Sequence, residues 1–235
     1  MPISAQAPVA NHLLAALPRK ECQRLLSQLE PVQFAYGQVL YEPTDPILQV
    51  YFPIDCLVSL LTEVDQHRTL EVGMVGNEGI VGMPMALGIN VSAVRALVQG
   101  SGSALCMSTK SFIAEFRKNM PLQRVLFRYT HFLMAQISQT AACNRFHNAG
   151  ERLARWLLMT RDRLHRDEFR LTHEFLSHML GIRRVGVTTA AGILERKNLI
   201  DYSRGNIRIL DAKGLEAAAC TCYRIIKNLQ DSAQR

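Results

Sequence analysis

Between Pro31 and Ser108 the apolar positions fall in short runs, several alternating with polar ones, and most runs stop at a turn former. Residues 32–36 stop at Gly37, 39–41 ahead of Pro43, 50–52 at Pro53 and 69–75 at Gly76-Asn77. Runs at 57–62, 95–98 and 104–107 complete the set, the last two divided by Gly100-Ser-Gly102. Strands at this spacing predict a β-sandwich or barrel. Gly73, Gly76, Gly79, Gly82 and Gly88 crowd one stretch and imply an unusual backbone path there. Ahead of the strands, residues 11–29 carry leucines at helical intervals, interrupted by Pro18, which can begin a second helix.

After Thr109 the period becomes helical. Residues 111–118 predict a short helix and Met120-Pro121 opens a long one. Along it Leu122, Leu126, Tyr129, Leu133, Gln136, Thr140 and Cys143 recur at alternating steps of four and three. This heptad stripe predicts pairing of two copies through Leu122, Leu126, Tyr129, Leu133, Gln136 and Thr140, although an ordinary core-facing helix has the same pattern. Residues 151–165 predict a further helix with Leu153, Trp156, Leu157 and Leu164 inward and Arg152, Arg155, Arg161 and Arg163 towards solvent or a polyanion.

The stretch from Thr172 to Leu210 carries the most information. A short strand at 169–171 leads to Thr172, which opens a helix over 172–180, and Gly181 breaks it. Arg183-Arg184 begins a second helix with Val187, Ala190, Ala191 and Leu194 along one face. An apolar-basic ribbon follows, turning at Ser203-Arg204-Gly205-Asn206, and a closing helix is expected over 215–229. Helix, tight turn, helix and ribbon make a winged helix-turn-helix, and a second helix that starts with two arginines suits the DNA major groove.

Charge supports this reading. Residues 1–143 carry 10 Lys+Arg and 10 Asp+Glu, whereas residues 144–235 carry 17 and 10, so the whole net charge of +7 lies in the C-terminal part. Clustered positive charge releases counterions from DNA phosphates. No apolar run reaches the roughly 20 residues of a membrane span, and the first ten residues lack the basic start and apolar core of a secretory signal. A cytoplasmic protein without a membrane partner is expected. Six scattered cysteines fit free thiols in a reducing compartment.

The order of β-roll, long helix and winged helix-turn-helix resembles the Crp/Fnr family of bacterial transcription regulators. The likeness runs from about Leu13 to Leu210 and is most specific over residues 171–181 and 194–200. It implies an α+β fold with a β-roll sensor domain at 11–119, a dimerisation helix at 120–146 and a winged helix-turn-helix at 147–235. It implies a homodimeric regulator whose partners are double-stranded DNA, RNA polymerase and, where an effector exists, an unidentified small molecule. In the family a Thr caps the first motif helix, a Gly makes the turn and an early Arg reads guanine; these positions resemble Thr172, Gly181 and Arg184. The expected base readers are Arg183, Arg184, Val185, Thr188 and Thr189, and the expected phosphate contacts are Thr172, His173, Lys197, Ser203 and Arg204.

The departures change the expectation. Well-known members follow the reading Arg with Glu and place a second Arg four residues after it, where this chain has Val185 and Thr189. Glu accepts from cytosine, whereas Val can only touch a thymine methyl, so a different operator is expected. Cyclic-nucleotide binders carry a Glu for the ribose and an Arg for the cyclic phosphate; Met83 and Val91 stand there, followed by Ser92-Ala93. A buried phosphate without its Arg partner is costly, so cyclic AMP is not the expected effector. If an effector pocket exists, Gly82, Met83, Met85, Ser92 and Arg95 are its candidates, with Met83 and Met85 equally readable as β-roll core.

No Gly-x-Ser-x-Gly, P-loop or His-Glu-x-x-His occurs, and no enzyme, cofactor or metal is expected. Cys220-Thr-Cys222, read as two positions on one helix, would point to roughly opposite sides and not share a metal. Only Cys22 lies where family iron–sulfur sensors gather their cysteines. The competing reading is a sensor module for a small molecule or protein partner whose main output is not DNA binding.

Overall fold

The computed structural model describes residues 10–65, 68–203 and 205–233. It opens with two short helices, α1 (His12–Ala15) and α2 (Arg19–Leu26), the second starting after Pro18. Asn11 caps α1 by accepting from Leu14 N–H, and its Nδ2 donates to Pro53 O and Gly79 O at 2.9 Å each, pinning the helix to the following sheets.

Among the described residues, seven strands form two antiparallel sheets ahead of the long helix. One has the order β1 (Glu30–Phe34), β7 (Gly102–Ser108), β3 (Gln49–Pro53). The other has the order β2 (Val39–Tyr41), β6 (Arg95–Gly100), β4 (Leu57–Asp65), β5 (Arg68–Val75). Each strand falls on one of the apolar runs of the sequence. Val50, Phe52, Leu57, Val58, Val75, Val98 and Ala104 are buried in the core between them. The glycine-rich stretch after β5 lets later helices approach closely: a Cβ on Gly76 would lie 2.7 Å from Arg163 Cγ, and one on Gly79 would overlap the Tyr129 ring.

Helix α3 (Thr109–Lys118), capped by Ser108, leads into the long α4 (Met120–Phe146). The heptad stripe expected to pair two copies is turned inward. Leu122, Leu126, Tyr129, Leu133, Gln136 and Thr140 are all buried within one protomer. Gln136 makes the reason plain: its Oε1 accepts from Met74 N at 2.7 Å and its Nε2 donates to Met74 O at 3.3 Å, extending the edge of β5. The opposite face of α4 exposes Met120, Phe127 and Met134, also seven residues apart.

The capping box of Asn148 and Glu151 starts α5 (Ala149–Leu164). Here the expectation of outward arginines fails for three of four: Arg152, Arg155 and Arg163 are buried, and only Arg161 is part-exposed, paired with Asp167 at 2.5 Å. Arg163 Nε meets Glu78 Oε1 at 2.8 Å in an ion pair whose side chains are 2% and 1% exposed. Arg152 donates to Asn144 Oδ1 at 2.7 Å and to Leu180 O. Glu78 and Leu180 come from distant segments, which helical periodicity does not register.

A third sheet, β8 (Glu168–Arg170), β10 (Asn206–Ile209), β9 (Ile200–Ser203), flanks α6 (His173–Leu180) and α7 (Arg184–Arg196). The closing helix expected over 215–229 is two helices, α8 (Ala212–Ala218) and α9 (Cys222–Ala233). Ala219 is extended (φ −77°, ψ 156°), so Cys220 lies in an elbow ahead of α9 rather than on its surface. No helix among the described residues is long and apolar enough to cross a membrane.

Candidate nucleic-acid interface

The two motif helices are set by local chemistry. Thr172 Oγ1 accepts from Phe175 N at 3.1 Å and caps α6. Gly181 ends it in the left-handed region (φ 60°), where a side chain costs about 1–2 kcal/mol, and its N–H closes on His178 O. Arg183 is extended and forms the N-cap of α7. Val187, Ala190, Ala191 and Leu194 bury one face of α7 against the rest of the domain. That burial leaves Arg183, Arg184, Val185, Thr188 and Thr189 together on the opposite, exposed face. Val185 is 76% exposed, an apolar side chain held in water directly after two arginines in the chain. The hydroxyls of Thr188 and Thr189 donate back to Arg184 O and Val185 O at 3.1 and 3.0 Å, which fixes their rotamers.

Of the expected phosphate contacts, Thr172, Lys197 and Ser203 are exposed. Arg204 lies outside the described residues. His173 does something else. Its ring stacks on Tyr202 with centroids 4.3 Å apart and planes 15° from parallel. Nδ1 lies 3.0 Å from Thr188 Oγ1, and Nε2 is buried. Desolvation and the Arg184 charge both hold its pKa below the usual histidine value. With both nitrogens turned inward, His173 braces α7 against the wing instead of reaching a phosphate. The stack with Tyr202 joins residues 29 positions apart, so no local pattern announced it.

The surface charge also differs from the composition. Arg152, Arg155 and Arg163 belong to the basic half in sequence but are buried, Arg163 on Glu78 of the neutral half. The positive surface therefore rests on fewer groups, with Arg183 and Arg184 prominent among them.

Between the β-roll and α4 lies a cavity lined by Tyr41, Leu60, Gly82, Met83, Ser92, Val94, Thr130, Leu133, Met134 and Ile137, among others. Of the expected pocket residues, Gly82, Met83 and Ser92 line it. Met85 is buried and does not line it. Arg95 is committed to Glu42 at 2.6 Å and is not among its lining residues. Among the described residues, no charged side chain lines this cavity. Burial raises the Tyr41 phenol to about 12, against hydrogen bonds to Gly82 and Ser92.

Comparison with known proteins converges on one architecture. Residues 151–218 match the Crp-like helix-turn-helix domain. FixK2 from Bradyrhizobium japonicum shares the fold at 15% identity, covering 82% of this chain and 98% of its own, with a TM-score of 0.69. The c-di-GMP-responsive global regulator CLP of Xanthomonas campestris matches at 16% identity, 83% and 100% coverage and TM-score 0.66. A CRP-family transcriptional regulator from Thermus thermophilus, TTHB099, matches at 18% identity, 80% and 96% coverage and TM-score 0.62. No curated protein is significantly similar in sequence. The chain thus carries a match to the Crp-like helix-turn-helix domain over residues 151–218 and shares its overall fold with these three proteins.

Proposed function

With a Crp-like helix-turn-helix domain at residues 151–218 as its premise, we propose that this chain is a cytoplasmic, bacterial, sequence-specific DNA-binding transcription regulator that acts as a homodimer and contacts RNA polymerase. One observation carries the reading: the burial of Val187, Ala190, Ala191 and Leu194 leaves Arg183, Arg184, Val185, Thr188 and Thr189 as the free face of α7. Arg184 reads a guanine edge, Val185 sits against a thymine methyl, and Thr172, Lys197 and Ser203 hold the phosphates.

Dimer pairing uses the face of α4 that exposes Met120, Phe127 and Met134, since the other heptad face is filled by its own β-roll. The cavity beneath α4 suits an apolar effector, because a phosphate there would find no cationic partner.

The test is selection of bound sequences from random duplex DNA by the full-length protein without added nucleotide. A two-fold symmetric consensus whose half-sites contain a guanine that Arg184→Ala ceases to select supports the reading. Retention by DNA with no preferred sequence sinks it and favours a sensor whose output is a partner other than DNA.

A further inference from the structure

Four candidate ligand side chains meet where α4 ends and the α8–α9 elbow turns. Cys143 sits in the last turn of α4, His147 is that helix's C-cap, Cys220 occupies the elbow and Cys222 begins α9. Their ligand atoms all lie within 4.8 Å of one another. Cys143 Sγ and Cys220 Sγ are 3.4 Å apart, and Cys222 Sγ is 3.5 Å from His147 Nδ1. The three cysteines are buried and form a small cluster separate from the main core, while His147 is half-buried at its edge.

From this geometry we infer that Cys143, His147, Cys220 and Cys222 form a closed tetrahedral Zn²⁺ site that fastens the α8–α9 elbow to the end of α4. In a tetrahedron, Zn–S bonds of about 2.3 Å and Zn–N bonds of about 2.0–2.1 Å place two sulfurs about 3.8 Å apart and a sulfur and a nitrogen about 3.5–3.6 Å apart. The Cys222–His147 separation of 3.5 Å matches this spacing, the Cys143–Cys220 separation of 3.4 Å is a few tenths of an ångström short of it, and small side-chain movements bring the set to the tetrahedron. Three sulfurs and one imidazole select zinc over hard cations such as calcium or magnesium, and four protein ligands leave no open position for catalysis.

The surroundings suit the charge. Three thiolates, one neutral imidazole and Zn²⁺ sum to −1, and the buried guanidinium groups of Arg152 and Arg155 lie close enough to offset that charge. Outside the ligand set, Gln139 Nε2 donates to Cys222 Sγ at 3.1 Å, the kind of outer contact that orients a metal ligand. The site joins residues from 143 to 222 in a single cross-link, tying the helix of the sensor half to the end of the DNA-binding domain.

The experiment uses tag-free, full-length protein purified under reducing conditions. Elemental analysis is expected to find one zinc per chain, little iron, and a melting temperature that falls when a chelator strips the metal. The stripped protein, given Co²⁺ alone, should develop the visible bands of tetrahedral cobalt together with thiolate charge-transfer absorption. His147→Gln and Cys220→Ser should each lower zinc affinity by more than about 100-fold, and Gln139→Leu by about 10–100-fold. Cys22→Ser, remote from the cluster, should bind as the parent does. His147 is half-buried, so its replacement leaves a folded protein in which loss of metal can be read. Protein that neither retains zinc nor takes up cobalt overturns the inference, as does a cobalt spectrum indifferent to His147→Gln and Cys220→Ser. A stable Cys143–Cys220 disulfide in metal-free protein would replace it with a redox cross-link.

Discussion

Trp156 Nε1 donates to Glu71 Oε1 at 2.9 Å, so the chain's single tryptophan, on α5, is hydrogen-bonded to a buried carboxyl on β5. Ser59 Oγ lies 2.6 Å from Glu71 Oε2 and also contacts Gln99 Oε1. One hydroxyl proton cannot serve two acceptors. A proton on Glu71 resolves the shortage: the carboxyl donates to Ser59, and Ser59 donates to Gln99. Burial accordingly raises Glu71 to about 7, against the hydrogen bonds that Ser59 and Trp156 give its charged form and the pull of Arg155 and Arg163.

This raised acid gives stability a definite pH dependence. The Glu71 contribution is full below its unfolded value near 4.5 and is lost as pH rises through about 7, because the folded state binds the extra proton. Glu71→Gln mimics the protonated form and should flatten that slope. At pH 8 it should be more stable than the parent by on the order of 2–3 kcal/mol. Denaturant titrations followed by Trp156 fluorescence from pH 5 to about 8 test this; a variant less stable than the parent at pH 8 rules it out.

The Arg163–Glu78 pair holds α5 on the glycine-rich loop, where Glu78 Oε2 also accepts from Gly76 N at 3.1 Å. Removing one partner strands a buried charge. Glu78→Gln and Arg163→Met should each cost about 3–5 kcal/mol, while the double change should cost less than the sum. Strict additivity in the cycle would show that the two groups are not energetically paired.

At the DNA, Arg184→Ala should cost about 1–3 kcal/mol on the preferred operator and relax selection at one base pair of each half-site. Val185→Glu should move the preference at the neighbouring position towards cytosine, because a carboxylate accepts from its exocyclic amine. Competition with operators altered one base pair at a time measures both. A uniform loss across all of them would make Arg184 a phosphate contact.

The two faces of α4 give opposite expectations. Phe127→Asp with Met134→Asp should yield a folded monomer in sedimentation. Gln136→Leu removes two hydrogen bonds to Met74 and should lower stability by about 1–3 kcal/mol without changing the oligomeric state. Dissociation by Gln136→Leu alone would return the seam to the inward stripe.

Strands, motif helices and wing were legible in the sequence because each is set by neighbours: alternation with period two, a Thr cap, a Gly in the left-handed region, an apolar face three and four residues apart. The same local logic exposed the row from Arg183 to Thr189, since burying Val187 and Ala190 compels it. Local logic failed wherever a partner came from far along the chain. A heptad stripe on α4 says that one face is buried but not by what, and Gln136 shows that the β-roll fills it. Arg152, Arg155 and Arg163 read as surface charge until the fold places them inside, Arg163 against Glu78. His173 is claimed by Tyr202, 29 residues away, and Cys220 and Cys222 converge with Cys143 and His147 only because the chain breaks at Ala219. The sequence determined the elements and the free face of α7 through short-range propensity. The tertiary structure alone decided which charges were buried, which face of α4 stayed open and which thiols met, because those depend on contacts whose cost and gain are set by distant residues.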